Sequence, residues 1–224
     1  MTAASAWARE SQQGGAAAFL RACRAAAWLE YRNLRYYPSN LLLAAIEELT
    51  TVVVWYFVAA FLSSAANADV REYGGSYVAF VVLGVLLNQI ALTALNGPFE
   101  TISEAFWDKR LETYRLSIHG IWANIVGRLL WRVAFSTALQ LAALGVLIGT
   151  GAVPVELGPR LGLAALAFFL LVAANAGIGF IGASLFFLFE VKSGQDPVTW
   201  AYRYLVMLAT GLYVPLALLP GWLR

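Results

Sequence analysis

Five apolar stretches in this chain are roughly as long as a bilayer is thick, and that feature removes most of fold space. A membrane-crossing helix needs about 20 apolar residues to traverse a hydrocarbon core of about 30 Å. The stretches are 41–62, 77–95, 133–149, 161–187 and 198–214. Of the 224 residues, 61% are hydrophobic and 12% charged, and mean hydropathy is +0.70. A soluble fold of this length cannot bury so much apolar surface. The pattern predicts an all-α, polytopic membrane bundle with five visible spans. Cys23 is the sole cysteine, so no disulfide forms within the chain.

Lys and Arg in the connections orient the spans, because positive charge is enriched on the cytosolic side. One side holds Arg9, Arg21, Arg24, Arg32 and Arg35, then Lys109, Arg110, Arg115, Arg128 and Arg132, then Lys192 and Arg203. The other holds Arg71, Arg160 and Arg224. Twelve against three predicts a cytosolic N-terminus. Arg203 snorkels to the same interface. With five spans the chain ends outside, at "LLPGWLR", just past a Pro-bounded turn; a sixth span is expected to follow. The early stretch "AAAFLRACRAAAWL" is broken by Arg21 and Arg24, so it lacks the continuous apolar core of a cleaved signal. These features predict a multi-pass protein of the cell membrane.

Residues 1–38 form a cytosolic segment and 39–224 the transmembrane domain. Within the first, 16–37 read as an amphipathic helix lying on membrane lipid. Its arginines reach anionic headgroups, while Trp28, Tyr31, Tyr36 and Tyr37 suit the interface. Pro38 ends it, since the residue before a proline disfavours helix. Between the second and third spans lies "FWDKRLETYRLSIHG", where Asp108, Lys109, Arg110, Glu112 and Arg115 crowd into eight positions. On a helical wheel Trp107, Leu111, Tyr114 and Ile118 share one face. Glu100, Glu104, Asp108 and Glu112 recur every fourth residue, a like-charge ridge that costs a free helix about 0.2–0.5 kcal/mol per pair. Two readings stand: a ridge awaiting a basic partner surface, or a solvated face compensated by its neighbouring cations.

The same segment resembles the permease subunits of type-2 ABC exporters. Their cytosolic helix between spans two and three has a pattern like E-x-x-G-T-L-E-x-L-L-x-(S/T)-P, and "RLETYRLSIHGIWANIVGRLLWR" looks like its second half. Leu111-Glu112, Leu116-Ser117 and Gly127-Arg128-Leu129-Leu130 carry the likeness. Lys109-Arg110 stand where the family has Gly-Thr, and Ile118 where it has proline. "GLYVPLALLPGWLR" is similar to a second family segment, with Gly211, Tyr213, Pro215, Leu219, Pro220 and Trp222 in register. The likeness covers roughly 75–224. It implies six spans, a coupling helix at about 99–115 and an outer re-entrant turn at about 213–224 containing Pro215, Pro220 and Trp222. The implied partners are a second permease subunit, giving a homodimer, and a separate nucleotide-binding ATPase that holds ATP and Mg. By that resemblance Glu100, Glu104, Phe106, Trp107, Asp108, Arg110 and Glu112 dock on the ATPase. The implied activity is export of a hydrophobic or amphipathic substrate such as a drug, lipid or glycan. No enzymatic role, no cofactor in this chain and no nucleic-acid partner are expected.

Glu47 and Glu48 stand out in the first span, seven and eight positions past Asn40 and so about 10–12 Å along the axis. An ionisable group at that depth is costly unless paired or wet. Adjacent helical residues point about 100° apart, so only one can face a given neighbour. Pairing with Arg128, Arg132 or an arginine of the interfacial helix is one reading, and a path for a cationic substrate the other. Asn88, Gln89, Asn96, Gln140 and Asn175 read as interhelical hydrogen-bonding groups or substrate contacts. "GIGFIG", at 177–182, matches a dinucleotide fingerprint by letter but sits inside an apolar helix, where small residues permit close packing; Gly145 and Gly149 read the same way. The chain holds no G-x-x-x-x-G-K-[ST], and His119 is its only histidine, which disfavours zinc and triad chemistry. A lipid-modifying membrane enzyme and a secondary transporter remain as alternative functions.

Overall fold

The computed structural model describes residues 15–70, 76–116, 120–153, 161–189, 199–202 and 204. Among them every regular element is a helix. The order is α1 (Ala16–Tyr36), α2 (Pro38–Val70), α3 (Tyr77–Trp107), α4 (Leu111–Arg115), α5 (Gly120–Gly149) and α6 (Leu161–Phe189). Four are long and apolar enough to cross a membrane, over Pro38–Phe61, Tyr77–Trp107, Ile121–Gly149 and Gly162–Leu185. Of the fifth span expected at 198–214, Thr199–Tyr202 and Tyr204 are helical. The re-entrant turn with Pro215, Pro220 and Trp222 lies outside the described residues.

Pro38 acts as the sequence predicts. α1 stops at Tyr36, Tyr37 turns, and Pro38 opens α2, a position where its missing N–H costs nothing. Pro98 does not act as expected. The second span was expected to close at Leu95, yet α3 runs through Gly97-Pro98 to Trp107. Neighbouring helices re-satisfy the backbone group that an intramembrane proline frees. Here the freed carbonyl is that of Ala94; the Pro98 ring is fully buried, and the Thr101 hydroxyl donates to a different carbonyl, that of Gly97, at 2.8 Å. The third span likewise starts earlier than Val133, because α5 begins at Gly120. With 31 and 30 residues, α3 and α5 are each about 45 Å long, well beyond a hydrocarbon core of about 30 Å. Their charged ends therefore project past it together.

α3 is the axle of the bundle. Val81, Val82, Val85, Leu86, Ala94 and Leu95 are all but sealed from solvent. Val52 and Ala143 pack on α3 from α2 and α5, and Ile125 and Ala183 close its other end from α5 and α6. Lipid tails are as apolar as leucine, so close van der Waals fit holds such helices together more than water exclusion does. Glycine supplies that fit at three crossings. A Cβ on Gly179 of α6 would collide with the Leu95 carbonyl oxygen, one on Gly127 of α5 with the Cys23 carbonyl oxygen, and one on Gly97 with Leu129. Among the described residues Gly145, Gly149 and Gly177, expected to pack in the same way, have nothing within 4 Å of where a Cβ would stand. Outward, α2 shows Leu42, Leu43, Val54, Phe57 and Phe61, and α6 shows Leu163, Phe169 and Leu170.

The stretch 99–115 is not one helix. Asp108 N–H still reaches the Glu104 carbonyl, then Lys109 takes φ 58° and the Lys109 and Arg110 N–H groups turn back to the Phe106 and Ala105 carbonyls. That paired bonding closes a helix with a left-handed residue. Trp107 and Leu111 thus belong to two helices, and the continuous apolar face read from the wheel does not form.

Candidate functional site

Two polar layers lie one above the other along α3 and α5. The upper one is an ion-pair ladder. Glu100 and Glu104 lie one helical turn apart on α3, and Arg128 and Arg132 one turn apart on the antiparallel α5. Arg128 donates from Nε to Glu30 Oε1 and from Nη2 to Glu104 Oε2, both at 2.5 Å. Arg132 donates to Glu100 at 2.5 Å and to Glu104 at 2.8 Å, and its Nη2 stands 3.5 Å from Glu30. Three carboxylates from α1 and α3 thus grip two guanidiniums of α5. Glu30 and Arg128 are the sheltered members, their side chains 13% and 15% exposed, whereas Glu100 is half in solvent.

The ladder resolves part of the sequence question. Two members of the acidic ridge, Glu100 and Glu104, meet their basic surface within the chain. Asp108 and Arg110 do not join them; they lie beyond, 3.8 Å from each other and largely exposed. Phe106 and Trp107 are exposed beside them, ring edge to ring face at 5.5 Å, and Glu112 is exposed on α4.

α1 is bound to this end by more than Glu30. Trp28, Tyr31 and Trp131 follow one another at centroid distances of 5.1 and 5.4 Å, and Trp131 stacks on Phe135 at 6.3 Å and 19°. Cys23 is buried under the same helix, and desolvation pushes its thiol up. A buried, protonated thiol is a poor nucleophile.

The lower layer centres on Glu48. Gln89 of α3 and Gln140 of α5 donate their amides to its Oε2 at 3.2 and 2.6 Å. Glu48 is ten residues into α2, about 15 Å along its axis. The expected pairing of Glu47 or Glu48 with Arg128, Arg132 or an arginine of α1 is not seen among the described residues; Arg128 and Arg132 are engaged by Glu30, Glu100 and Glu104 instead. Glu48 faces inward, and Glu47, 100° away, is exposed. Asn88, half-buried, takes no part. Thr93 and Ser136, which the sequence reading passed over, stand 3.3 Å apart between the layers. Asn175 caps the Leu171 carbonyl of its own helix at 2.8 Å. Gln140 is 2% exposed, and its carbonyl oxygen has no hydrogen-bond partner among the described residues.

A cavity of about 350 Å³ joins the layers, lined from Glu30, Glu100 and Arg132 down to Thr93, Ser136 and Glu48. Its volume falls in the range of small-molecule sites, which combine apolar walls with a few placed polar groups. The signal for the ladder was in the sequence as two doublets of opposite sign flanking one connection. Glu30 carried none, since only the folding of α1 onto α5 brings it there. No protein-family profile, curated protein or solved structure matches the chain.

Proposed function

We propose that the chain is the transmembrane permease subunit of an ABC-type exporter in the cell membrane, its charged end cytosolic. It moves a hydrophobic or amphipathic substrate outward while a separate subunit hydrolyses ATP. The observation that carries this reading is the α3–α4 turn. It stands beyond the apolar part of α3, exposes Phe106, Trp107, Asp108 and Arg110, and is tied by the ladder to α1 and α5. A knob so anchored can pass a push to three helices at once. Lys109 adds support: the position where the exporter family has glycine holds the left-handed conformation that glycine adopts most easily. A second copy fits the exposure of Glu47 on a largely apolar face of α2.

The charge test belongs at Asp108 and Arg110, not at Glu104, whose loss would strip Arg128 and Arg132 of a partner. Swapping them as D108R/R110D keeps their mutual pair and reverses the field that a partner meets. Wild type purified at low salt brings down a P-loop ATPase; the swap combined with Trp107→Ala inserts normally and brings down about tenfold less, because exposed complementary charges set register and encounter. The reading fails if no ATPase accompanies wild type, or if the triple variant retains it fully.

A further inference from the structure

Glu48 is a carboxylate about 15 Å into an apolar helix, and among the described residues it meets two amides and no cation. Intramembrane carboxylates are found paired or lining a polar path. The obvious counter-charges are spent elsewhere: Arg132 faces the same cavity but is held by Glu100 and Glu104, and Arg128 by Glu30 and Glu104. Both amides donate to one oxygen, Oε2, and no described donor answers Oε1. The carbonyl of Gln140 is a buried acceptor that no donor reaches among the described residues. Turning that amide over would set its oxygen against the carboxylate, so rotation does not relieve the imbalance. This layer holds more acceptors than donors, and a cationic donor is what it lacks.

The cavity walls narrow the choice. Tyr37, Trp131 and Phe135 line it together with Glu48, and the Trp131 and Phe135 rings lie near-parallel, 6.3 Å apart. Aromatic faces attract organic cations. A bare metal ion would use neither the aromatic walls nor a volume of about 350 Å³.

We propose that this cavity takes a small organic cation, its ammonium against Glu48 and its apolar body against Tyr37, Trp131 and Phe135. The inference rests on the cavity alone and stands whether or not an ATPase partners the chain. The ammonium has two sources, a free amine-bearing solute or the choline or ethanolamine headgroup of a lipid.

The probe is benzyltrimethylammonium, which is permanently charged and so cannot be mimicked by protonation of the site. Its binding is measured by equilibrium dialysis on the full chain, with any subunit that accompanies it, in discs of phosphatidylglycerol and of phosphatidylcholine. Wild type shows saturable binding. Glu48→Gln, which keeps the side chain's shape, weakens it by at least about tenfold, the loss expected when one partner of a desolvated charge pair is removed. Phe135→Leu weakens it several-fold with Glu48 intact, and decides the matter if Glu48→Gln does not fold. The neutral isostere neopentylbenzene binds wild type no better than Glu48→Gln. Weaker binding in choline discs assigns the site to a lipid headgroup, and equal binding to a free solute. Equal affinity of wild type and both variants, or no saturable binding in either disc, overturns the proposal.

Discussion

Arg128 answers two carboxylates with one guanidinium, and the ladder's energetics turn on how little solvent it sees. Its pair with Glu30 is sheltered on both sides, while the Glu100 and Glu104 side chains are 52% and 45% exposed. Removing one partner of a buried pair leaves an uncompensated charge and costs about 3–5 kcal/mol, whereas replacing both by apolar groups is often neutral. Exposed pairs contribute about 0–1 kcal/mol. Arg128→Met should therefore lower unfolding stability in detergent by about 3 kcal/mol. Adding Glu30→Leu should restore most of it, since Glu104 keeps Arg132, and Glu100→Gln should cost under about 1 kcal/mol. A double variant as unstable as Arg128→Met would show that an uncompensated Glu30 charge is not the source of the loss. At this scale the sequence could say that only one of Glu47 and Glu48 faces inward, from the angle between neighbours on a helix. Which one it is depends on how α2 is rotated against α3, and no local spacing encodes that.

Helices were legible as elements because apolar length is a one-dimensional signal, and the four described spans stand where those runs lie. Their ends were less legible. Pro98 looked like a stop, but a proline ends a helix only when the freed carbonyl and the ring have no accommodating neighbours, and neighbours are a tertiary property. The packing glycines show the same limit. "GIGFIG" reads as a small-residue face, yet Gly179 touches the α3 backbone and Gly177, two residues before it, touches nothing among the described residues. That contrast yields a sharp expectation for α6. Gly177→Ala should be neutral or stabilising by up to about 1 kcal/mol, the helix-propensity difference. Gly179→Ala must push α6 off the Leu95 carbonyl and should destabilise by about 1–3 kcal/mol, the usual cost of overpacking. Thermal unfolding of the two variants in one detergent checks both, and equal midpoints would place the α3–α6 contact elsewhere.

Among the described residues two large apolar faces stand exposed, and they are not alike. On α6 the outward residues Leu163, Leu166, Phe169 and Leu170 are uniformly apolar, as a lipid-facing surface should be. On α2 the outward face carries Glu47 and Thr50 among Leu43, Ile46, Val54 and Phe57. A carboxylate held in acyl chains costs about 2.5–3.5 kcal/mol even on the mildest scale, whereas protein or water removes most of that penalty. The proposed second copy would supply such cover if α2 lined the seam between copies, because a two-fold interface brings each face against its own counterpart. A cysteine at position 50, in a Cys23→Ser background, would then lie near its symmetry mate. Oxidation in native membranes should link Thr50→Cys chains into dimers on a denaturing gel, and a Leu166→Cys control on α6 should stay monomeric. Adding Glu47→Leu should leave folding intact, since the site is exposed within one chain, and should alter the dimer yield because the seam's polar character has changed. If position 50 links no more than position 166, and Glu47→Leu changes nothing, α2 faces lipid and the second copy packs against another face.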